Sequence, residues 1–262
     1  MRALSRLIWL KLALLLTLSA PAAAAEVADL PSALGGTQRV WYDAPANPWA
    51  LAILFMGGDG NAGLTPDGGI TRGGNFLIRT RQIWLTQGIA VLIPDKPSGL
   101  TELYGNRLSP GYARDIATLV GYARSRSRLP IWLIGTSQGS NAVATGAASL
   151  TQGEIAGAVF SSSVTQPGGR AQMTDTVFGA RLSAINVPSL VVAHQDDGCR
   201  LTPPADAPRL RAALSGAPRT ETMLFTGGNP PRSGPCEAMS QHGYFGIEQE
   251  VVARIAAWMR GR

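Results

Sequence analysis

The chain is poor in the residues on which several classes of site depend. Two histidines and two cysteines occur among 262 residues, which is too few for the ligand clusters of a zinc site. The arginines are scattered and form no basic run of the kind that binds nucleic acid. Internal repeats and linker-like boundaries are also lacking. The composition therefore argues against a metal site and a nucleic-acid partner, and it favours one large domain.

The N-terminal segment 1–25 has the pattern of a secretory signal peptide. It carries positive charge at Arg2, Arg6 and Lys11, continues with the apolar run 12–18 and ends in small residues. The run is shorter than the ~20 residues that a spanning helix needs. We therefore expect an exported protein, periplasmic or secreted, with no membrane span after cleavage. Half of the formal net charge of +6 lies in this segment.

After the signal, short apolar runs alternate with segments of helical character. The predicted strands are 39–42, 50–56, 89–93, 131–134, 156–160, 187–193 and 222–225. The predicted helices are 75–87, 110–125, 141–150, 204–214 and 246–260. Most of the runs are almost continuously hydrophobic, as in strands of a parallel sheet that is covered on both faces. We predict a doubly wound α/β domain over 26–262, with helices on both faces and a site at the carboxyl ends of its strands.

One serine lies at a turn of unusual composition. Residues 135–139 read Gly-Thr-Ser-Gln-Gly, which is a G-x-S-x-G pentapeptide. The pattern alone is weak evidence in a chain with 31 glycines, but here a predicted strand precedes it and an alanine-rich helix follows. This is the arrangement that exposes a nucleophilic serine at a sharp turn. Ser137 is therefore the candidate nucleophile.

A serine nucleophile needs a base and a carboxylate that orients the base. His242 lies between the last predicted strand and the last predicted helix, whereas His194 ends a strand and is expected to have a structural role. Asp196 and Asp197 follow directly after that strand. The candidate triad is therefore Ser137, Asp197 or Asp196, and His242, in that chain order.

These features resemble the α/β-hydrolase superfamily, whose triads follow the order Ser, acid, His. The resemblance extends from about residue 39 to the C-terminus and includes the Val-Pro-x-Leu-Val-Val strand before the acid. The acid turn is one residue shorter than the family's, and Asp197 leaves a turn length nearer to it than Asp196 does. The resemblance implies an α/β-hydrolase fold and an exported serine hydrolase, most simply one that cleaves carboxylic esters. Peptidase, acyltransferase and non-catalytic binding roles on the same fold remain alternatives.

The resemblance also implies an oxyanion hole made by two main-chain N–H groups. One belongs to Gln138, directly after the nucleophile. The family's second donor follows an early strand in a His-Gly-x turn, and here Met56-Gly57-Gly58 has methionine in the place of the histidine. Gly58 is therefore the second candidate donor. Because water hydrolyses the acyl-enzyme, we expect no cofactor. The expected partner is a small-molecule ester as substrate.

Two further expectations concern the surroundings of the triad. Cys199 follows the acid and Cys236 precedes His242 by six residues, so a disulfide, which export would permit, would tie the two loops together. Two free thiols are the alternative. The segment 161–185, where the family often inserts a lid, is too short for a large cap domain, which predicts an open site. The next candidates for substrate contact are Glu102, Tyr104 and Arg107, although their spacing does not require that role.

Overall fold

The computed structural model describes residues 25–168 and 173–261, so the predicted signal peptide lies outside the described residues except for Ala25. The strands of the described chain form one sheet in the order β1-β2-β4-β3-β5-β6-β7-β8. They are β1 Glu26–Pro31, β2 Thr37–Asp43, β3 Ala50–Phe55, β4 Ile89–Pro97, β5 Ile131–Thr136, β6 Gly157–Ser161, β7 Ser189–His194 and β8 Thr220–Phe225. The pairs β1/β2 and β2/β4 are antiparallel and the remaining pairs are parallel. The predicted mostly parallel sheet is confirmed.

The helices follow the predicted alternation with strands. They are α1 Phe76–Arg79, α2 Arg81–Thr86, α3 Pro110–Arg126, α4 Gly139–Ser149, α5 Ala207–Ala213 and α6 Glu248–Met259. The prediction of a single helix over 75–87 was wrong in one respect, since the chain forms two helices there, α1 and α2, which meet at Thr80. The Oγ1 of Thr80 donates to the carbonyl of Phe76 at 2.7 Å, a local bond that competes with regular helix continuation. The predicted cap of α3 is present, as Ser109 accepts from the N–H of Tyr112.

The sheet is covered on both faces by apolar layers. Alternate residues of β3 point to opposite layers: Leu51 and Ile53 pack with α3, α4 and α5, while Ala52 and Leu54 pack with α1, α2 and α6. Because both faces are buried, every residue of β3 must be apolar, which is why the strand is a continuous hydrophobic run. Fully burying each leucine or isoleucine contributes roughly 1.5–3 kcal/mol.

The segment predicted to be too short for a cap contains little regular structure where it is described. It forms two single turns of 3₁₀ helix, Val177–Gly179 and Leu182–Ala184. The described part of this segment therefore places no large cap over the carboxyl ends of the parallel strands. Among the described residues, no helix has both the length and the apolar character needed to cross a membrane.

Candidate active site

Ser137 lies at the turn between β5 and α4 in a strained backbone conformation. Its φ is +53°, in the left-handed region that residues with a Cβ rarely adopt. Its N–H donates to the carbonyl of Ser161 at the end of β6, at 3.0 Å. The neighbouring strand thus holds the turn in place, and the strain is of a kind that proteins concentrate at functional sites.

The glycines around Ser137 are required by close backbone contacts. A Cβ on Gly135 would lie 2.3 Å from the carbonyl oxygen of Gly139, and a Cβ on Gly139 would lie 2.0 Å from that of Phe55. On the facing loop after β3, a Cβ on Gly57 would lie 2.8 Å from the Cβ of Ser137. The two glycines of the G-x-S-x-G pattern are therefore required because the serine turn is tightly folded and packs directly against the end of β3 and the loop that follows it.

His242 and Asp197 form a buried hydrogen-bonded pair. His242 lies in the single 3₁₀ turn Gln241–Gly243, and its Nδ1 is 2.9 Å from Oδ2 of Asp197. The Asp197 side chain is fully buried and that of His242 is 6% exposed. Asp197 Oδ1 also accepts from the N–H of Cys199 at 2.9 Å. Because Nδ1 faces the carboxylate, Nε2 is the ring nitrogen left to act on another group.

Thr202 belongs to the same cluster and was missed at the sequence level. Its Oγ1 donates to Asp197 Oδ2 at 2.9 Å and lies 3.1 Å from Nδ1 of His242. The hydroxyl thus helps to fix the carboxylate that faces the imidazole. No sequence motif marks this threonine, because its place in the cluster depends on how the loop after β7 folds back.

The neighbouring Asp196 and His194 lie elsewhere. Asp196 is exposed, and its main-chain N–H donates to Nδ1 of His194 at 3.0 Å. His194 is fully buried, and its Nε2 is 3.0 Å from the carbonyl oxygen of Gly227. Of the two adjacent carboxylates, the one beside His242 is therefore that of Asp197, while both ring nitrogens of His194 are engaged by backbone.

Ser137 and His242 line the same small cavity, together with Gly57, Gly58 and Phe76. Its volume is about 50 Å³. No hydrogen bond joins Ser137 Oγ to the His242 ring within the described chain, and such bonds often tighten only when substrate binds. The structure thus brings the predicted nucleophile and base to one cavity at the carboxyl ends of the strands.

The cavity adjoins a larger open groove of about 770 Å³. The two share a border that includes Gly58, Asn75 and Cys236. The groove is lined mainly by polar residues, which are Asp59, Asn61, Arg72, Asn75, Glu102, Tyr104 and Glu237. Arg72 pairs with Asp59 at 2.7 Å. Of the three candidates for substrate contact, Glu102 and Tyr104 line the groove, whereas Arg107 is buried and does not.

The two predicted oxyanion donors lie on loops beside Ser137. Gly58 has φ +61° and lines the cavity. Gln138 is the N-cap of α4, and the N–H groups that begin a helix have no acceptor within it. A glycine is needed at 58 because of this backbone conformation. Gly58 thus lines the same cavity as Ser137, and Gln138 follows Ser137 directly in the turn.

No family model and no curated protein matches the sequence of this chain. Solved structures do match. An esterase of Pyrococcus furiosus has a TM-score of 0.64 at 13% identity over 90% of this chain and 92% of its own. A cold-adapted esterase from an Arctic intertidal metagenomic library has a TM-score of 0.58 at 16% identity over 88% and 92%. A proline iminopeptidase of Mycobacterium smegmatis has a TM-score of 0.61 at 12% identity over 90% and 98%.

The chain has the α/β-hydrolase fold. Structural similarity at such low sequence identity shows the fold but does not identify the substrate, since neighbours with this fold include both esterases and a peptidase. The function must therefore be argued from the site.

In this α/β-hydrolase fold, a disulfide connects the two loops that hold the Asp197–His242 pair. Cys199 and Cys236 are bonded, with their Cα atoms 4.5 Å apart. Cys199 donates its N–H to Asp197, and Cys236 lines the cavity of Ser137 and His242. The bridge therefore lies at the site itself and not at a remote surface.

A buried hydroxyl network also holds the histidine loop, and sequence inspection did not identify it. Ser162 Oγ donates to the carbonyl of His242 at 2.9 Å. The hydroxyl of Tyr244 lies 2.9 Å from Ser161 Oγ and donates to the carbonyl of Val192 at 3.2 Å. Burial raises the pKa of Tyr244 to about 12, so its hydroxyl stays protonated and can donate at physiological pH. Ser161 also anchors Ser137, so the end of β6 connects the nucleophile turn to the histidine loop.

Proposed function

We propose that this protein is an exported serine hydrolase that cleaves carboxylic esters through an acyl-enzyme. One observation carries the proposal: a serine on a strained turn shares a cavity with a histidine whose far nitrogen is bonded to a buried carboxylate. A serine hydroxyl is a weak nucleophile at neutral pH, and an adjacent base oriented by a third group is the arrangement that activates it.

In the first half of the proposed reaction, Nε2 of His242 takes the proton of Ser137 Oγ as that oxygen attacks the ester carbonyl. The N–H groups of Gly58 and Gln138 stabilise the negative oxygen of the tetrahedral intermediate. Asp197 keeps the proton on Nδ1, so that Nε2 is the basic nitrogen, and it stabilises the imidazolium that forms. His242 then gives the proton to the departing alcohol.

In the second half, water attacks the acyl group on Ser137. His242 takes a proton from that water and returns it to Ser137 Oγ as the carboxylic acid leaves. The atoms balance with water as the only co-substrate, so the proposed cycle uses no cofactor.

The surroundings of the cavity support a small and accessible ester. The adjoining groove of about 770 Å³ is open and lined with charged and amide side chains, whereas a long acyl chain needs a continuous apolar wall. The described part of 161–185 adds no large cap over it. Export is supported by the charged and apolar pattern of 1–25 and by the disulfide.

Intact-mass analysis with a fluorophosphonate probe tests the proposal. We expect one adduct on the wild-type protein and on Ser125→Ala, a change at an exposed serine on α3, and none on Ser137→Ala. The unlabelled mass also reports signal cleavage and the two hydrogens lost to a disulfide. A folded wild-type protein that takes no adduct would contradict the proposal and favour a non-catalytic binding role. Nitrophenyl esters of short and long acids, compared with aminoacyl nitroanilides, then separate esterase from peptidase activity.

A further inference from the structure

Arg107 places a positive charge in the interior beneath the loop that carries Gly58. Only 2% of the residue is exposed. Its Nη2 donates to the carbonyl of Met56 at 3.4 Å, and a Cβ on Gly60 would lie 3.1 Å from the same nitrogen. The guanidinium thus contacts both ends of loop 56–60.

This buried cation lacks an ion-pair partner. Among the described residues, no carboxylate lies within 4.0 Å of its nitrogens, and Nη1 has no hydrogen-bond partner. Burial lowers the pKa of Arg107, yet an arginine side chain stays protonated in proteins at neutral pH. Asp59 and Asp175 oppose the effect of burial on this pKa, but they do so from beyond ion-pair distance. Burying a charge without a directly bonded counter-ion costs folding free energy. An apolar side chain at position 107 would avoid this cost in folding free energy, so stability alone does not account for an arginine there.

Arg107 also joins the two elements that carry the proposed oxyanion donors. Its carbonyl accepts from Oγ1 of Thr145 on α4, at 2.7 Å, and α4 is the helix that Gln138 caps. A second bond of the same turn, from the N–H of Leu103 to the carbonyl of Asp59, holds loop 56–60 at 2.9 Å. The turn 103–107 therefore links the Gly58 loop to the helix behind Ser137.

We propose that Arg107 is a positioning residue for the oxyanion hole: its guanidinium holds loop 56–60 from below and adds positive potential behind the Gly58 N–H. This inference rests on the proposed hydrolase function. The contact of Arg107 with the Met56 carbonyl is a side-chain bond that anchors the main chain at the start of this loop. Negative charge develops on the substrate oxygen only in the transition state, so the effect should fall on kcat rather than on KM.

The test compares Arg107→Met and Arg107→Lys with Arg39→Met. Arg39 is the control because it also donates to a main-chain carbonyl, that of Leu64, but it lies on β2, is partly exposed and pairs with Asp29. We measure kcat and KM on a short ester, the inhibition constant of an arylboronic acid, which forms a tetrahedral anionic adduct with serine, and Tm. Arg107→Met should lower kcat by about 10- to 100-fold, somewhat less than loss of a direct oxyanion donor. KM should change less than about twofold, and boronate affinity should fall in parallel with kcat/KM.

The stability measurement separates positioning from a structural role. Because the removed charge is buried and, among the described residues, has no carboxylate within 4.0 Å, Arg107→Met should have a Tm no lower than the wild type. Arg107→Lys, which keeps the charge, should stay within about tenfold of the wild-type kcat, and Arg39→Met should keep its kcat within about twofold. Unchanged kcat and boronate affinity in Arg107→Met would overturn the proposal. So would a large drop in Tm in both Arg107 variants with loss of fluorophosphonate labelling.

Two further outcomes keep the tests distinct. If Arg107→Met does not fold, Arg107→Lys decides, and a loss of more than a hundredfold in kcat at unchanged Tm would refute a role carried by charge. If the wild type itself neither labels nor hydrolyses esters, the proposed function fails before any variant is compared, and the Arg107 proposal falls with it.

Discussion

Replacing Asp197 by asparagine should abolish most turnover while leaving the fold intact. The carboxylate accepts three hydrogen bonds, one on Oδ1 from Cys199 and two on Oδ2 from Thr202 and His242. An asparagine oxygen can keep the bond from Cys199, but its NH₂ group would then face His242. Nδ1 would have to accept that N–H, so the ring proton would move to Nε2. With Nε2 protonated, His242 could not take the proton of Ser137.

The expected loss is large because the wrong tautomer removes the base altogether. A comparable change in a serine protease lowers kcat by about 10⁴, and that factor corresponds to about 5.5 kcal/mol in the activation free energy. The assay is kcat on a short nitrophenyl ester, with Tm measured on the same samples. Asp196→Asn is the control, since Asp196 is exposed, and we expect it to keep its kcat within about twofold. Equal and mild losses in both variants, or a larger loss in Asp196→Asn, would refute the assignment of the acid.

Three more predictions concern the scaffold. Gly139→Ala should destabilise the fold by several kcal/mol, because the new Cβ would lie 2.0 Å from a carbonyl oxygen of β3. The Cβ of Gly121→Ala on α3 would meet nothing within 4 Å, so this change should stabilise the fold by about 0.5–1 kcal/mol. Urea unfolding measures both free energies. Replacing Cys199 and Cys236 by serine should cost about 3–4 kcal/mol. It should also lower kcat at a temperature where the fold persists, and unchanged kcat would limit the bridge to stability. Tyr244→Phe removes a buried donor and should cost about 1–3 kcal/mol in unfolding free energy, seen as a Tm lowered by several degrees.

The strands that sequence patterns predicted well are those buried on both faces. Residues of β3 and β5 are all buried, so each strand is an almost continuous apolar run, which ends in β5 with Gly135 and the buried Thr136. The edge strand β1 was not predicted, because its residues are partly exposed and its sequence EVADLP has no apolar run. The division of the helix at Thr80 was also missed, since a single side-chain to backbone bond leaves no periodic signal.

Residue type and chain order were enough to propose Ser137 and His242, because a glycine-flanked serine needs a base and the chain has only two histidines. They left Asp196 as an alternative to Asp197, which the turn length favoured, because the two residues are adjacent in the chain. The turn after β7 separates them, as it buries the carboxylate of Asp197 against His242 and leaves Asp196 exposed.

By itself, the sequence determined the layered sheet, since continuous apolar runs must be covered on both faces, and it determined the chemical types available to a site. Only the tertiary structure decided which side chains share that site. Thr202 reaches it through its contact with His242, and Tyr244 through its bond with Ser162. Arg107 reaches it by burial beneath the Gly58 loop. Such contacts join residues far apart in the chain and depend on how loops return from the sheet, so no local pattern of residues can encode them.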